Sequence, residues 1–241
     1  MARTIDFKIG SVNTKAIVAM PAGNGPFPSA VITFHKDGID DFTHKLVDEF
    51  AASGFVAIAP DHFHVLPPGK GPDDRRDYMT DEQLALDFRA AVDWLKAQKN
   101  VAGKPALLGH CMGGRATVVG LVNDPDLWAC GVIWYGGGVF RSMGKVPPPG
   151  ERLASIKAPV AGFYGNLDTH PSPDEVNRLD AKLTELGKAH EFCRYENVNH
   201  GFMNWFGEAY NAHAHQDSWT KGLGFMRRHI GVPNLTEAVS R

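Results

Sequence analysis

Cysteine is scarce in this chain, and its three residues, Cys111, Cys130 and Cys193, stand far apart. An odd number at such spacing excludes a disulfide scaffold and supplies none of the paired thiols of a structural zinc site. Long apolar runs are missing too: none approaches the roughly 20 residues needed to cross a bilayer. The start, Met1-Ala2-Arg3-Thr4-Ile5-Asp6, lacks the apolar stretch that a secretory signal carries behind its charge. There is no basic run. With 25 Lys and Arg against 27 Asp and Glu, the formal charge of -2 offers no field to attract nucleic acid. There is no internal repeat or break in composition. The 241 residues, 43% of them hydrophobic, are expected to form one domain with a sizeable core. These absences predict a soluble, cytoplasmic, monomeric protein that engages a small molecule, with no nucleic-acid or membrane partner. A reducing compartment would keep a thiol available.

What is present is an alternation of short apolar runs and amphipathic stretches. Thr4 to Met20 reads as a hairpin with Gly10 and Asn13 at its turn. Ser29 to Phe34 and Phe55 to Ala59 read as buried strands around a helix from Asp41 to Ser53 that Gly54 ends. Asp81 to Gln98 is the longest amphipathic stretch, with Leu84, Phe88, Val92 and Leu95 on one stripe and Thr80 as N-cap. A strand over Lys104 to Leu108, a helix from Arg115 to Val122 and a strand over Val132 to Tyr135 follow. A strand runs through Gly162 to Gly165, a helix covers Asp174 to Leu186, and a last helix is predicted over Glu208 to Arg228. Cys130 and Cys193 fall in strand-like segments and read as small core residues. Such alternation implies an α/β fold: a mostly parallel, twisted sheet with helices on both faces and an antiparallel edge. Two Pro- and Gly-rich stretches, 67–77 and 136–152, follow strands and are placed to drape over one sheet edge.

Gly109-His110-Cys111-Met112-Gly113-Gly114 puts one thiol where a strand turns sharply into a helix. In the G-x-S-x-G elbow, small flanking residues let backbones pack closely while the central side chain projects above the sheet. Here sulfur holds the central place. The same architecture uses the chain order nucleophile, carboxylate, histidine. Gly165-Asn166-Leu167-Asp168 and Asn197-Val198-Asn199-His200 each follow a strand end, so Cys111, Asp168 and His200 can converge at one edge of a parallel sheet. Alone, Asp168 reads as a helix cap, His200 as a turn residue and Cys111 as a loop thiol. Their joint order and context predict a Cys-His-Asp triad.

G-x-C-x-G-G at Gly109 to Gly114, Tyr164-Gly165 leading to Asp168, and His200-Gly201-Phe202 together resemble the dienelactone hydrolase family. Ala59-Pro60-Asp61, Trp134-Tyr135-Gly136 and the tail around Tyr210, Ala212 and Trp219 extend the likeness over most of the chain. The resemblance implies a cap-less α/β-hydrolase domain over residues 1–241. It also implies a thiol that attacks an ester or lactone carbonyl, with Cys111, His200 and Asp168 on the family's triad. The sequence departs from the family pattern in three places. Where the family carries a glutamate beside the thiol, this chain has His35. Where it uses two arginines to hold a substrate carboxylate, this chain has Val65 and Asn204, neither of which can grip a carboxylate bidentately. Arg75, Arg76 and Arg141 are the loop residues that could compensate.

A thiol needs an imidazolium or a helix N-terminus to become a useful nucleophile at neutral pH, and both are predicted at Cys111. The backbone N–H of Met112 and that of Lys36 are the expected oxyanion donors. His35 stands beside them, to polarise the carbonyl, touch the thiol or fill space. Tyr135, Phe202 and Trp205 are the aromatic candidates for a substrate wall, whereas Phe88 and Trp94 read as core. His62-Phe63-His64, with His35 and His200, raises a metal reading. A zinc site needs three or four convergent ligands, and no H-E-x-x-H or paired Cys spacing is present, so neither metal nor cofactor is expected. His213 and His215, two apart on a helix, are expected to be solvated. The main rival to hydrolysis is a redox-sensing or ligand-capturing thiol on the same scaffold.

Overall fold

The computed structural model describes residues 1–231, the side chain of Arg76 excepted. Strands β1 (Arg3–Ile9) and β2 (Val12–Ala19) form the expected antiparallel hairpin. The strands β3 (Ser29–Thr33), β4 (Val56–Pro60), β5 (Ala106–His110) and β6 (Cys130–Trp134) are buried at every residue. This is why they read as continuous apolar runs rather than alternations: both of their faces are covered. β7 (Val160–Gly165) is equally buried, and β8 (His190–Tyr195) closes the edge with more polar residues. The eight strands form one sheet in the order β1-β2-β4-β3-β5-β6-β7-β8, parallel from β4 to β8.

Caps set the helix boundaries. Asp40 accepts from the Thr43 N–H to start α1 (Asp41–Ala52), and a four-residue helix, α2 (Arg75–Tyr78), lies inside the first irregular stretch. Thr80, as expected, accepts from Gln83 to start α3 (Asp81–Lys96). Helix α4 (Met112–Asn123) follows β5 after a single residue, and Ser172 caps α5 (Pro173–Glu185), which carries Pro at its first position. The last helix, α6 (Ala212–Ile230), starts later than its pattern predicts. The Asn211 side chain accepts from Ala214, and residues 201–211 turn instead of winding.

Alternate residues of each central strand feed two cores. On one face Val31, Ile58 and Leu107 pack with Leu84, Phe88 and Leu95 of α3, Val119 and Leu121 of α4, and Leu179 and Leu183 of α5. On the other, Ile32, Ala57, Leu108 and Trp134 pack with Phe42, Leu46 and Phe50 of α1 and Phe225 and Met226 of α6. Each fully buried Leu or Phe contributes roughly 1.5–3 kcal/mol relative to exposure. The chain leaves β3 toward β4 and returns on the other side as β5. In open α/β sheets such a reversal marks the crevice, outside the carboxyl ends of the strands, where ligands bind; here it falls at β3 and β5.

Candidate active site

Cys111 occupies the single residue between β5 and α4 with φ 56° and ψ -119°, a conformation a side chain adopts only when its surroundings enforce it. Two close approaches enforce it. A Cβ on Gly113 would lie 2.1 Å from the Thr33 carbonyl oxygen, and one on Gly109 would lie 2.3 Å from the Gly113 oxygen. Only glycine lets the start of α4 press against the end of β3, and that pressing turns the Cys111 side chain up into the crevice. The backbone N–H groups of Met112 and Lys36 face the Cys111 sulfur closely enough to favour its thiolate.

The next two loops meet in the same way. A Cβ on Gly165 would come within 2.2 Å of the Val198 carbonyl oxygen, and the Leu167 N–H donates to that oxygen at 3.0 Å. The loop after β7 is thereby laced to the loop after β8. Buried Asp168 accepts from the His170 N–H at 2.7 Å through one oxygen and contacts His200 Nδ1 at 2.7 Å through the other. The Cys111 sulfur lies near enough to the His200 ring that each favours the charged form of the other. The three residues singled out for chemistry therefore meet in one place, with Asp168 hydrogen-bonded to His200 and His200 beside the sulfur.

Their electrostatics are coupled. Burial alone would raise the Cys111 thiol, but the hydrogen bond and charge of His200, with the N–H groups of Met112 and Lys36, hold it below the ordinary thiol value. Burial works against the His200 cation as well. The hydrogen bonds to Asp168 and Cys111 outweigh it and push His200 up to about 10. A thiolate beside an imidazolium is the arrangement that makes sulfur nucleophilic, and two N–H groups on the same spot can hold a developing oxyanion.

The model of the family described as "Dienelactone hydrolase family" matches residues 14–230. The chain belongs to the dienelactone hydrolase family. A relative from Methylorubrum extorquens, named "Putative carboxymethylenebutenolidase", is 28% identical over 220 residues, covering 88% of this chain and 75% of that protein. Among solved structures, a dienelactone hydrolase-like promiscuous phosphotriesterase from metagenomic libraries superposes with a TM-score of 0.80 at 20% identity, covering 96% of this chain and 99% of that one. A thermophilic esterase from Thermogutta terrifontis does so at 0.75 and 18%, covering 98% and 95%. At these identities the two structures show the fold, that of the α/β-hydrolases.

Around the site, the departures from the family pattern have definite places. His35 is buried, with Nε2 2.9 Å from an Asp40 oxygen and Nδ1 3.5 Å from one of Asp37, and its ring lies against Phe42. Its polar atoms are thus turned to carboxylates of its own loop. Val65 is half-buried at the end of a 3-10 turn, and the Asn204 side chain accepts from the Phe206 N–H within its own turn. Arg75 donates to the Pro72 carbonyl at 2.6 Å, Arg141 is exposed, and the side chain of Arg76 lies outside the described ones.

Of the aromatic candidates, Trp205 is half-buried between Phe42 and His215, with the Lys45 ammonium 4.3 Å from its ring centre. Phe202 is fully buried under Tyr135 and Tyr195, and Tyr135 itself is 2% exposed. Both support the site from below. His213 is exposed as expected, but His215 is not: it is 7% exposed, packed on Trp205 and Trp219, and burial lowers it to about 4.

His62 and His64 both turn to buried Asp87 on α3, at 2.7 and 3.0 Å. Among the described residues no group of three such side chains forms a metal-holding cluster. Nor is any described helix long and apolar enough to cross a membrane. Sequence reasoning passed over two buried groups near the site. His110, stacked on Trp134 at 4.8 Å, is pushed well below the usual imidazole range by burial and stays neutral beneath the elbow. Arg115 of α4 pairs with Asp81 and also donates to the Gly138 and Arg141 carbonyls. The only signal for that ion pair was a charged residue inside an otherwise apolar helix.

Proposed function

We propose that this chain hydrolyses small-molecule carboxylic esters or lactones through a cysteinyl acyl-enzyme, with Cys111 as nucleophile, His200 as proton carrier and Asp168 as its orienting partner. The sulfur attacks the carbonyl carbon, and the oxygen takes the resulting charge against the Met112 and Lys36 N–H groups. The imidazolium of His200 gives its proton to the leaving alkoxide as the carbon–oxygen bond breaks, leaving a thioester on Cys111. Water then attacks the thioester while His200 takes its proton, and the thiolate leaves as the acid product forms. Asp168 keeps the imidazole tautomer and stabilises its cation without moving a proton.

The observation that carries this reading is the convergence on the strained Cys111 of a histidine backed by a buried carboxylate, beside the first N–H of α4 and the N–H of the loop after β3. The thiolate and the oxyanion that forms on attack would draw on the same two N–H groups. Membership of a hydrolase family supports the same reading. The substrate we favour carries no carboxylate near the scissile bond. Val65 and Asn204 stand at the arginine positions, and Asp37 and Asp40 occupy the loop that supplies the Lys36 N–H.

Brief mixing with an activated aryl ester should add the acyl mass to Cys111, and Cys111→Ala should abolish both label and turnover. Peroxide-sensitive Cys111 without ester turnover would overturn the reading in favour of a redox thiol. In a panel of esters and lactones with and without a carboxylate, the uncharged members should have the higher kcat/KM. Selectivity for dienelactones would overturn that preference.

A further inference from the structure

Tyr135 is the other residue besides Cys111, among the described non-glycine residues, with positive φ, at 42°. A bulky side chain in that region marks a backbone held against its preference. What holds it is visible on both sides. The Tyr135 N–H donates to the Phe163 carbonyl at 2.8 Å, which continues the β6–β7 pairing one residue past the end of β6. Immediately afterwards Gly136 passes so close to α4 that a Cβ on it would lie 2.5 Å from the Gly114 carbonyl carbon. The next turn is fastened from two helices: Arg115 donates to the Gly138 carbonyl at 3.0 Å, and the Gly138 N–H donates to Glu175. The chain is thus forced to bend at Tyr135.

The bend delivers the ring to one place. Its centre lies 4.9 Å from that of His200 and 5.0 Å from that of Phe202, tilted to both. The Met203 N–H faces its phenol oxygen. One side chain just past β6 therefore lies against three of the four residues of the turn that carries His200, while Asp168 holds that histidine from the loop after β7. The titratable groups facing His200 are Asp168, Cys111 and the Tyr135 phenol itself, which burial keeps neutral.

We propose that Tyr135 is a positioning residue for the reaction proposed above: its ring and hydroxyl fix the 200–203 turn and favour the imidazolium form of His200 beside the Cys111 thiolate. In a T-shaped pair, an aromatic face met by the edge of an imidazole within about 6 Å attracts the cation more than its neutral form. This inference rests on the thiol-acylation reading, since the ion pair matters only if Cys111 reacts.

The test has two readouts. The first is alkylation of the Cys111 peptide by iodoacetamide across pH, which follows the ion pair without any ester. The second is the acylation burst with p-nitrophenyl acetate. In Tyr135→Leu, the inflection at which Cys111 becomes reactive should move up and the one at which His200 loses its proton should move down, each by about half a pH unit or more. The saturating acylation rate should fall about tenfold or more, with the half-saturating ester concentration within about twofold of wild type. Tyr135→Phe, which keeps the ring and loses the Met203 contact, should shift both inflections in the same directions by less. A folded Tyr135→Leu with wild-type inflections overturns the proposal; if that variant fails to fold, wild-type inflections in Tyr135→Phe overturn it. No burst and no acyl label in the wild-type protein would instead overturn the thiol-acylation reading, and the inference with it.

Discussion

In the proposed reaction Asp168 acts only at a distance from the attacked carbonyl, through a single 2.7 Å contact to His200 Nδ1. That contact decides which imidazole nitrogen faces the sulfur and is one of the two that push His200 up to about 10. Asp168→Asn keeps the volume and can still accept from the His170 N–H, so the fold should survive. The amide offers no charge to the imidazolium, and the wrong tautomer is then favoured. We expect kcat to fall on the order of 10⁴-fold with an unchanged melting temperature, measured on an aryl ester; a loss under tenfold would refute Asp168 as the orienting group. In the wild-type protein, kcat/KM should rise with pH as Cys111 loses its proton below the ordinary thiol value, and fall as the His200 proton leaves near pH 10. A profile still climbing through pH 10 would mean that no imidazolium takes part.

At the scale of elements, the elbow works only because β3 and α4 touch backbone to backbone at Gly113. Gly113→Ala would set a methyl 2.1 Å from the Thr33 oxygen and 2.7 Å from that of Phe34, and neither carbonyl can move without lifting the loop that supplies the Lys36 N–H. Overpacking of this kind costs about 1–3 kcal/mol of stability, and loss of one oxyanion donor lowers kcat by roughly 10²–10³-fold. Both drops should appear together in melting and steady-state experiments; wild-type kcat in the folded variant would exclude the Lys36 N–H from the reaction. The glycine run itself was legible in the sequence because the elbow depends on local geometry. For the same reason β3, β4, β5 and β6, each buried on both faces, announced themselves as apolar runs, and Thr80 as a cap. Less legible was what contacts between distant residues decide. The start of α6 moved to Ala212 because Asn211 caps it and the 201–211 segment is tied into turns around Trp205. His215 is buried because those turns cover it. The burial of Tyr135 and Phe202 beneath His200, rather than along a substrate wall, follows from a bend that Gly136 and Arg115 impose, which no periodicity encodes.

Across the whole molecule, the crevice depends on loops after β4 and β6 being tied to helices on one face of the sheet, by Asp87 and Asp81 of α3 respectively. Asp87 is fully buried and receives His62, His64 and Gln83. Burial would raise its carboxyl, but the two histidines hold it below the ordinary 3.8. Burial likewise opposes the His64 cation, and the bond and charge of Asp87 outweigh it, leaving His64 above the ordinary 6.5. The signs of the two shifts define a window. The Asp87 contribution to stability is present above 3.8 and is lost as pH falls through its depressed folded value. The His64 contribution is fully present below 6.5 and is lost as pH rises through its raised folded value. Asp87→Asn should therefore cost at least about 3 kcal/mol between these limits, read as the difference between wild-type and variant urea-unfolding curves. That difference should shrink both toward acid and above neutrality, because the charges that make the pair are then absent from the wild-type protein as well. A difference that stays constant from pH 3 to 9 would mean that Asp87 stabilises the loop after β4 by hydrogen bonding alone, with no ionised pair at its centre.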